Sequence, residues 1–224
     1  MRLWGLPLTL LSILPGFVYS AQVSFQTNVT VLSHNIVDAL SDDPDYTSLL
    51  ILLQRAKLIP TLNKLNATTL FAPTNDAIKR YAETNPLWRT ALEDVVWAGR
   101  ENVQEKLRQQ LFYHMLNRTL STLPESQDPE VLKTLHYPRK PVEPPSHYPP
   151  PYPPWLPVPG GTLGGEPQKL RTSARDATAW VGVDGFGNGG VEVIKELVET
   201  SNGLLVGIGE VLEVPPDLGM SRSS

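Results

Sequence analysis

From residue 31 to about 120 the apolar positions recur at helical spacing, and short polar residues gather at the ends of each run. Ser33 stands as an N-cap before Ile36, Val37 and Leu40. Asp43-Pro44 supplies a second cap with proline at the first helical position. Leu49, Leu50, Leu53 and Ala56 then line one face of a helix, and Lys57 suits its negative C-terminal end. At Thr68–Ala72 the period changes: the run TTLFA is β-branched and apolar without alternation, which predicts a short buried strand. Pro73, with no N–H for a ladder bond, ends it. Thr74 caps a helix bearing Ala77, Ile78 and Tyr81. Asn85-Pro86 opens another with Leu87, Trp88, Ala91, Leu92 and Val95. A last helix from about Asn102 carries Val103, Leu107, Leu111 and Met115 at spacings of four.

The second half changes character. Val131–His136 reads as a strand, and strand-like pieces follow at Gln168–Thr172, Ala177–Val183, Val191–Val198 and Leu204–Val214, separated by glycine-rich and Asn-Gly turns. Between them, residues 138–159 hold 11 of the 22 prolines together with Tyr148, Tyr152 and Trp155. Proline this dense excludes helix and central strand and predicts an extended loop. Helices first and strands second give an α+β protein rather than an alternating α/β sheet.

The N-terminus reads as a signal peptide over residues 1–20. Arg2 is the positive start, Leu3–Val18 the apolar stretch, and Val18 and Ser20 the small residues before a cut near Ser20–Ala21. The competing reading, a membrane anchor, sits poorly with a stretch this short that contains Pro7, Pro15 and Gly16. No later segment is apolar for long enough to span a bilayer, so stable membrane insertion is not expected. Three sequons, at Asn28, Asn66 and Asn117, place potential glycans on the same lumenal side. The chain has no cysteine, which removes thiol chemistry, disulfides and thiolate metal sites. Its net charge of −4 without a basic run argues against nucleic acid as a partner.

Several stretches together resemble the fasciclin (FAS1) domain family: NIVDALSDDPDYTSLL (Asn35–Leu50), TTLFAPTNDAI (Thr68–Ile78), LFYHML (Leu111–Leu116) and SNGLLVGIGEVLEVPP (Ser201–Pro216). The resemblance spans residues 33–216, with 21–32 as an N-terminal extension, 137–160 as a proline-rich insertion and 217–224 as a tail. Secreted chains with such an insertion look most like fungal members. The resemblance implies a FAS1-like wedge, a small twisted β-sheet with helices packed on one part. It also implies a non-catalytic role in adhesion or scaffolding at a cell surface, wall or matrix, with a surface protein, matrix protein or wall polysaccharide as partner and no cofactor. Secretion, possibly to the wall, is the expected destination, with the vacuolar lumen as the alternative. The signature residues Thr69, Phe71, Ala72, Pro73, Thr74, Asn75, Asp76, Asn202 and Gly203 have structural work available: burial for Phe71, strand termination for Pro73, helix capping for Thr74 and Asn75, and dipole complement for Asp76. Two departures stand out: the proline-rich run replaces a tight connection, and Gly207 and Gly209 replace bulkier apolar residues or His. The closing DLGMSRSS carries no lipid-anchor signal.

Tyr113-His114 is the candidate binding pair, because in animal relatives this region is linked to adhesion through surface receptors. Against it stands a packing role, Tyr113 in a core and His114 in a buried hydrogen bond at a helix end. The proline/tyrosine run is a second candidate, since such segments dock on aromatic grooves; the other reading is a loop folded on its own domain. The run Gly185–Gly190 formally matches GxGxxG, but too little chain follows for a dinucleotide fold, and a turn is the simpler reading. No GxSxG elbow or HExxH is present, and His34, His114, His136 and His147 show no i,i+4 pairing, so no catalytic or metal site is expected. A lumenal binder of a small lipid or glycan is the alternative function and would need a partly apolar pocket. A secreted hydrolase is the remote one and would need converging titratable groups in a cleft.

Overall fold

A computed structural model of the chain describes residues 29–31, 34–93, 101–121, 128–137, 139–140, 162–163, 167–176, 178–184 and 189–214. Residues 1–20, read above as a signal peptide, and Asn28, Ser33, Val95, His147, Tyr148, Tyr152, Trp155, Gly185 and residues 217–224 lie outside these residues.

Six helices and eleven strands are described. In chain order they are β1 (Val29–Val31), α1 (Ile36–Asp42), a 3-10 turn (Pro44–Tyr46), α2 (Thr47–Arg55), α3 (Ile59–Lys64), β2 (Thr68–Pro73), α4 (Asn75–Thr84), α5 (Pro86–Glu93), α6 (Glu101–Tyr113), β3 (Met115–Leu116), β4 (Glu130–Lys133), β5 (Arg139–Lys140), β6 (Thr162–Leu163), β7 (Lys169–Arg175), β8 (Thr178–Val181), β9 (Val191–Glu192), β10 (Leu197–Thr200) and β11 (Gly203–Ile208). The architecture is α+β, as the pattern predicted, with the strands divided between a five-stranded sheet, order β1-β10-β11-β2-β3, and a four-stranded antiparallel sheet, order β4-β7-β8-β9. The hairpin β5–β6 brackets the proline-rich run, most of which lies outside the described residues.

β2 sits inside the first sheet and pairs parallel with β11 over Thr68–Pro73 and Gly203–Ile208. Its unbroken apolar run is what a strand covered on both faces requires. Leu70, Ala72 and Leu205 face the helices and join a core built on Leu49, Leu53, Ile78, Trp88 and Leu107. Phe71, Leu204, Val206 and Ile208 face the other way and pack with Leu132, Leu170 and Val181 of the second sheet. Sheet one is therefore the middle layer, with helices on one side and sheet two on the other.

Several local expectations are corrected. The cap of α1 is Asn35, whose Oδ1 accepts from Val37 N at 2.8 Å and Asp38 N at 3.0 Å, with Asp38 reaching back to close a capping box. Met115 falls in β3 because α6 ends at Tyr113. Val191–Val198 is not one strand: β9 and β10 belong to different sheets. The strand β11 ends at Ile208, and residues 211–214 continue as irregular chain. The helix α3 and the buried Leu52 and Leu62 went unread, since a six-residue helix gives too short a period. Lys57 ends α2 through its backbone, at φ 54°, rather than through its charge.

Asn75 also works differently from expectation. Thr74 caps α4, accepting from Ala77 N at 3.4 Å. Asn75 instead serves α2, which has no side-chain cap of its own: its Oδ1 accepts from Ser48 N and its Nδ2 donates to Pro44 O, both at 2.8 Å. Asn75→Ala is expected to cost about 1–2 kcal/mol in urea unfolding, as a lost cap does, although the residue lies outside the helix it caps. An effect no larger than about 0.3 kcal/mol would remove this role.

Candidate functional site

The Tyr-His pair lies at the end of α6, where the helix hands over to β3. Both side chains are inside the protein: Tyr113 is 4% exposed and His114 0%. His114 uses both ring nitrogens. Leu212 N donates to Nε2 at 3.0 Å, so Nδ1 carries the proton and donates to Gln110 O at 3.0 Å. Burial holds the imidazole neutral and lowers its pKa to about 4, opposed in part by the Gln110 carbonyl. Gln110 also accepts from Trp88 Nε1 through its side chain, and the Trp88 ring stands 6.2 Å from that of His114. His114 thus pins the segment Gly209–Val214 to α6, and Arg80 of α4 holds the same segment by donating to Gly209 O at 2.6 Å.

Above this segment opens a cleft of about 840 Å³. One wall is α4, with Arg80, Tyr81 and Thr84; the other is β7 and the turn after β8, with Lys169, Arg171 and Asp184. Glu210 and Glu213 stand on the segment between them, and Tyr113 reaches the lining from below. The Tyr113 hydroxyl donates to Lys169 O at 3.4 Å, and its ring meets His136 edge-on at 6.2 Å. Burial raises the Tyr113 pKa, with the Arg171 charge working against it. Tyr81 is raised likewise by burial, while its hydroxyl accepts from Asn85 Nδ2 at 2.9 Å. The lining carries three cations and three carboxylates, so the cleft is polar and balanced rather than a deep apolar pocket.

The closing block Ser201–Pro216 is organised by Asn202. Its Oδ1 accepts from Ile36 N at 2.9 Å and its Nδ2 donates to Leu62 O at 3.0 Å, joining the start of α1 to the end of α3. Its own carbonyl accepts from Thr68 N. Thr69, fully buried, donates to Arg118 O and accepts from Leu120 N, which fixes the chain after β3. Asp76 is exposed in the first turn of α4. The departure at Gly207 has a steric reason: a Cβ there would stand 2.3 Å from the Tyr46 hydroxyl and 2.7 Å from Lys195 Cβ. Lys195 lies 4.9 Å above the Tyr46 ring and pairs with Asp43 at 2.8 Å and Asp45 at 2.6 Å. Burial, reinforced by the two carboxylates and opposed by Lys195, pushes the Tyr46 pKa up to about 12.

Among the described residues no group of three or more His, Asp and Glu side chains could hold a metal ion, and no helix is long and apolar enough to cross a membrane. Gly189 and Gly190, the described end of the glycine run, take φ of 66° and 83° in the connection between β8 and β9, and Gly190 lies too close to Val183 for a side chain.

Residues 44–142 match the fasciclin domain family. The fold is similar to that of a FAS1 domain pair from the insect cell adhesion molecule fasciclin I, at a TM-score of 0.51 and 11% identity over 81% of this chain. The fold is FAS1-like. It spans about half of that two-domain chain, 51%. No curated protein matches it in sequence. The Tyr-His block and the closing block meet at the cleft: one supplies Tyr113 and the His114 ring, the other the segment whose Leu212 N donates to that ring.

Proposed function

We propose that this FAS1 domain is a secreted, non-catalytic adhesion or scaffolding module that binds a surface protein, matrix protein or wall polysaccharide. The observation that carries the reading is the fasciclin-family match on a fold shared with a cell adhesion molecule. Other features support it. The signal-like N-terminus supports a secretory route, and the sequon residues Asn66 and Asn117 are both exposed, as glycan acceptors must be. The buried Tyr113, His114 and Tyr46 are committed to internal bonds or packing, which suits a folded binding module better than a hydrolase. In this reading Tyr113 contributes through the cleft lining, and His114 is a positioning residue for Gly209–Val214.

The test uses the glycosylated chain from residue 21, labelled, with intact cells, matrix and isolated wall polysaccharide. Saturable binding to one of these is the expected result. Failure to bind any of them, with a small lipid or oligosaccharide carried through purification and seen by native mass spectrometry, would replace this reading with the small-ligand one. The size of the cleft is the specific observation that favours that second reading.

A further inference from the structure

The chain is acidic overall, with 23 carboxylate residues against 19 Lys and Arg. Sheet two nevertheless gathers cations on one face. Across β4 and β7 the register sets Lys133 opposite Lys169 and Val131 opposite Arg171. All four are exposed, whereas the intervening pair Leu132 and Leu170 is buried, so alternation puts the four on the outer face. Arg175 lies further along the same side of β7, its guanidinium 4.1 Å above the Trp180 ring. The acid of β4, Glu130, belongs to the other alternation and pairs with Arg118 at 2.6 Å. Among the described strand residues, the remaining acid on the outer face, Glu192, stands opposite Trp180 on β9, two strands from β7.

Successive outward positions on β7 are about 7 Å apart and the next strand is about 5 Å away, so Lys133, Lys169 and Arg171 form a short row suited to a linear charged chain, which the buried Ser173 ends before Arg175. Lys169 and Arg171 also reach the rim of the cleft, but there Asp184, Glu210 and Glu213 offset the cations, so the row is confined to the strands. Exposed Val131, at 49%, offers an apolar contact for the C–H face of a sugar ring. A broad anionic surface such as a membrane or a nucleic acid duplex would bring the rest of this acidic body against its own charge; a single extended polymer lying along the row avoids it.

We propose that the outer face of β4 and β7 is a docking strip for an acidic polysaccharide, one bearing carboxylate or sulfate groups, with Lys133, Lys169 and Arg171 as its charge contacts. The inference rests on the adhesion reading and names the partner's chemistry.

The test measures retention of the full mature chain on immobilised polygalacturonate, dextran sulfate and neutral dextran. Lys133→Glu and Arg171→Glu are compared with Lys79→Glu, which changes net charge equally on the exposed side of α4. Retention on at least one acidic polymer over neutral dextran is expected, weakening as salt screens the contacts. The polymer that retains the protein tells carboxylate from sulfate recognition. Each strip variant should weaken binding by at least about tenfold, and Lys79→Glu by less than about twofold. Equal retention on acidic and neutral polymers, or equal loss in all three variants, overturns the proposal; Arg171→Gln replaces Arg171→Glu if the latter alters melting. Binding to cells without preference for acidic polymers sinks this inference and leaves adhesion standing. Retention on acidic polymers without binding to any cell, matrix or wall does the reverse.

Discussion

Acidification from pH 7 to pH 4 is expected to remove about 3 kcal/mol of folding stability through His114 alone. The folded protein lowers the pKa of this imidazole from 6.5 to about 4 by burying it, and Nε2 is engaged as an acceptor from Leu212 N. The unfolded chain therefore takes up the proton first. Stability is whole above pH 6.5 and falls by about 1.4 kcal/mol per pH unit until the folded histidine also protonates near pH 4. Asp43 acts in a lower window: burial opposes its ionisation, but the hydrogen bonds from Lys195 and Asp45 N and the Lys195 charge together outweigh it and hold its pKa below 3.8, so its contribution is lost only under stronger acid. Urea unfolding across this range separates the two. His114→Gln keeps an acceptor for Leu212 N without a titrating ring; it should be less stable at pH 7 and nearly flat between pH 6.5 and 4. A variant with the slope of the wild type would assign the acid sensitivity elsewhere. Because His114 holds Gly209–Val214, hydrogen exchange at Leu212 should rise along with the loss.

Gly203→Ala is expected to cost at least about 3 kcal/mol, or to prevent folding outright. Gly203 pairs with Thr68 at the start of the central β2–β11 ladder. A Cβ there would lie 1.9 Å from Thr68 O and under 3 Å from two further backbone atoms of Thr68, none of which can rotate away. Relief would require parting the two strands that carry both cores. Gly209→Ala is the comparison: its Cβ would meet Ile194 Cγ2 at 3.2 Å, the end of a side chain that is 48% exposed and free to move. About 1 kcal/mol or less is expected there. Equal effects of the two substitutions in denaturant unfolding would show that the close approach at Thr68 is not what restricts position 203.

The helices other than α3, the caps at Asp43, Thr74 and Asn85, and the buried strand were legible because their causes are local. Asp43-Pro44, Thr74 and Asn85-Pro86 satisfy backbone N–H groups within a turn of themselves, and TTLFA declares burial by lacking any polar alternation. The blocks that resemble the FAS1 domain added chain order and fold class. What the sequence could not decide lies between residues distant along it. Asn75 caps a helix 27 residues earlier, and Asn202 bonds to Ile36 across 166 positions. Gly207 reads as a departure until Tyr46 and Lys195 occupy the space it leaves. Tyr113-His114 invited a surface reading and a packing reading alike, since both residue types serve either; burial beneath the cleft and the bond to Leu212 were settled only when β11 laid the closing segment across α6. The cations of sheet two follow the same rule. Lys133 and Lys169 are 36 positions apart, and only the register of β4 on β7 makes them neighbours, because strand pairing depends on the packing of whole faces and not on any one residue.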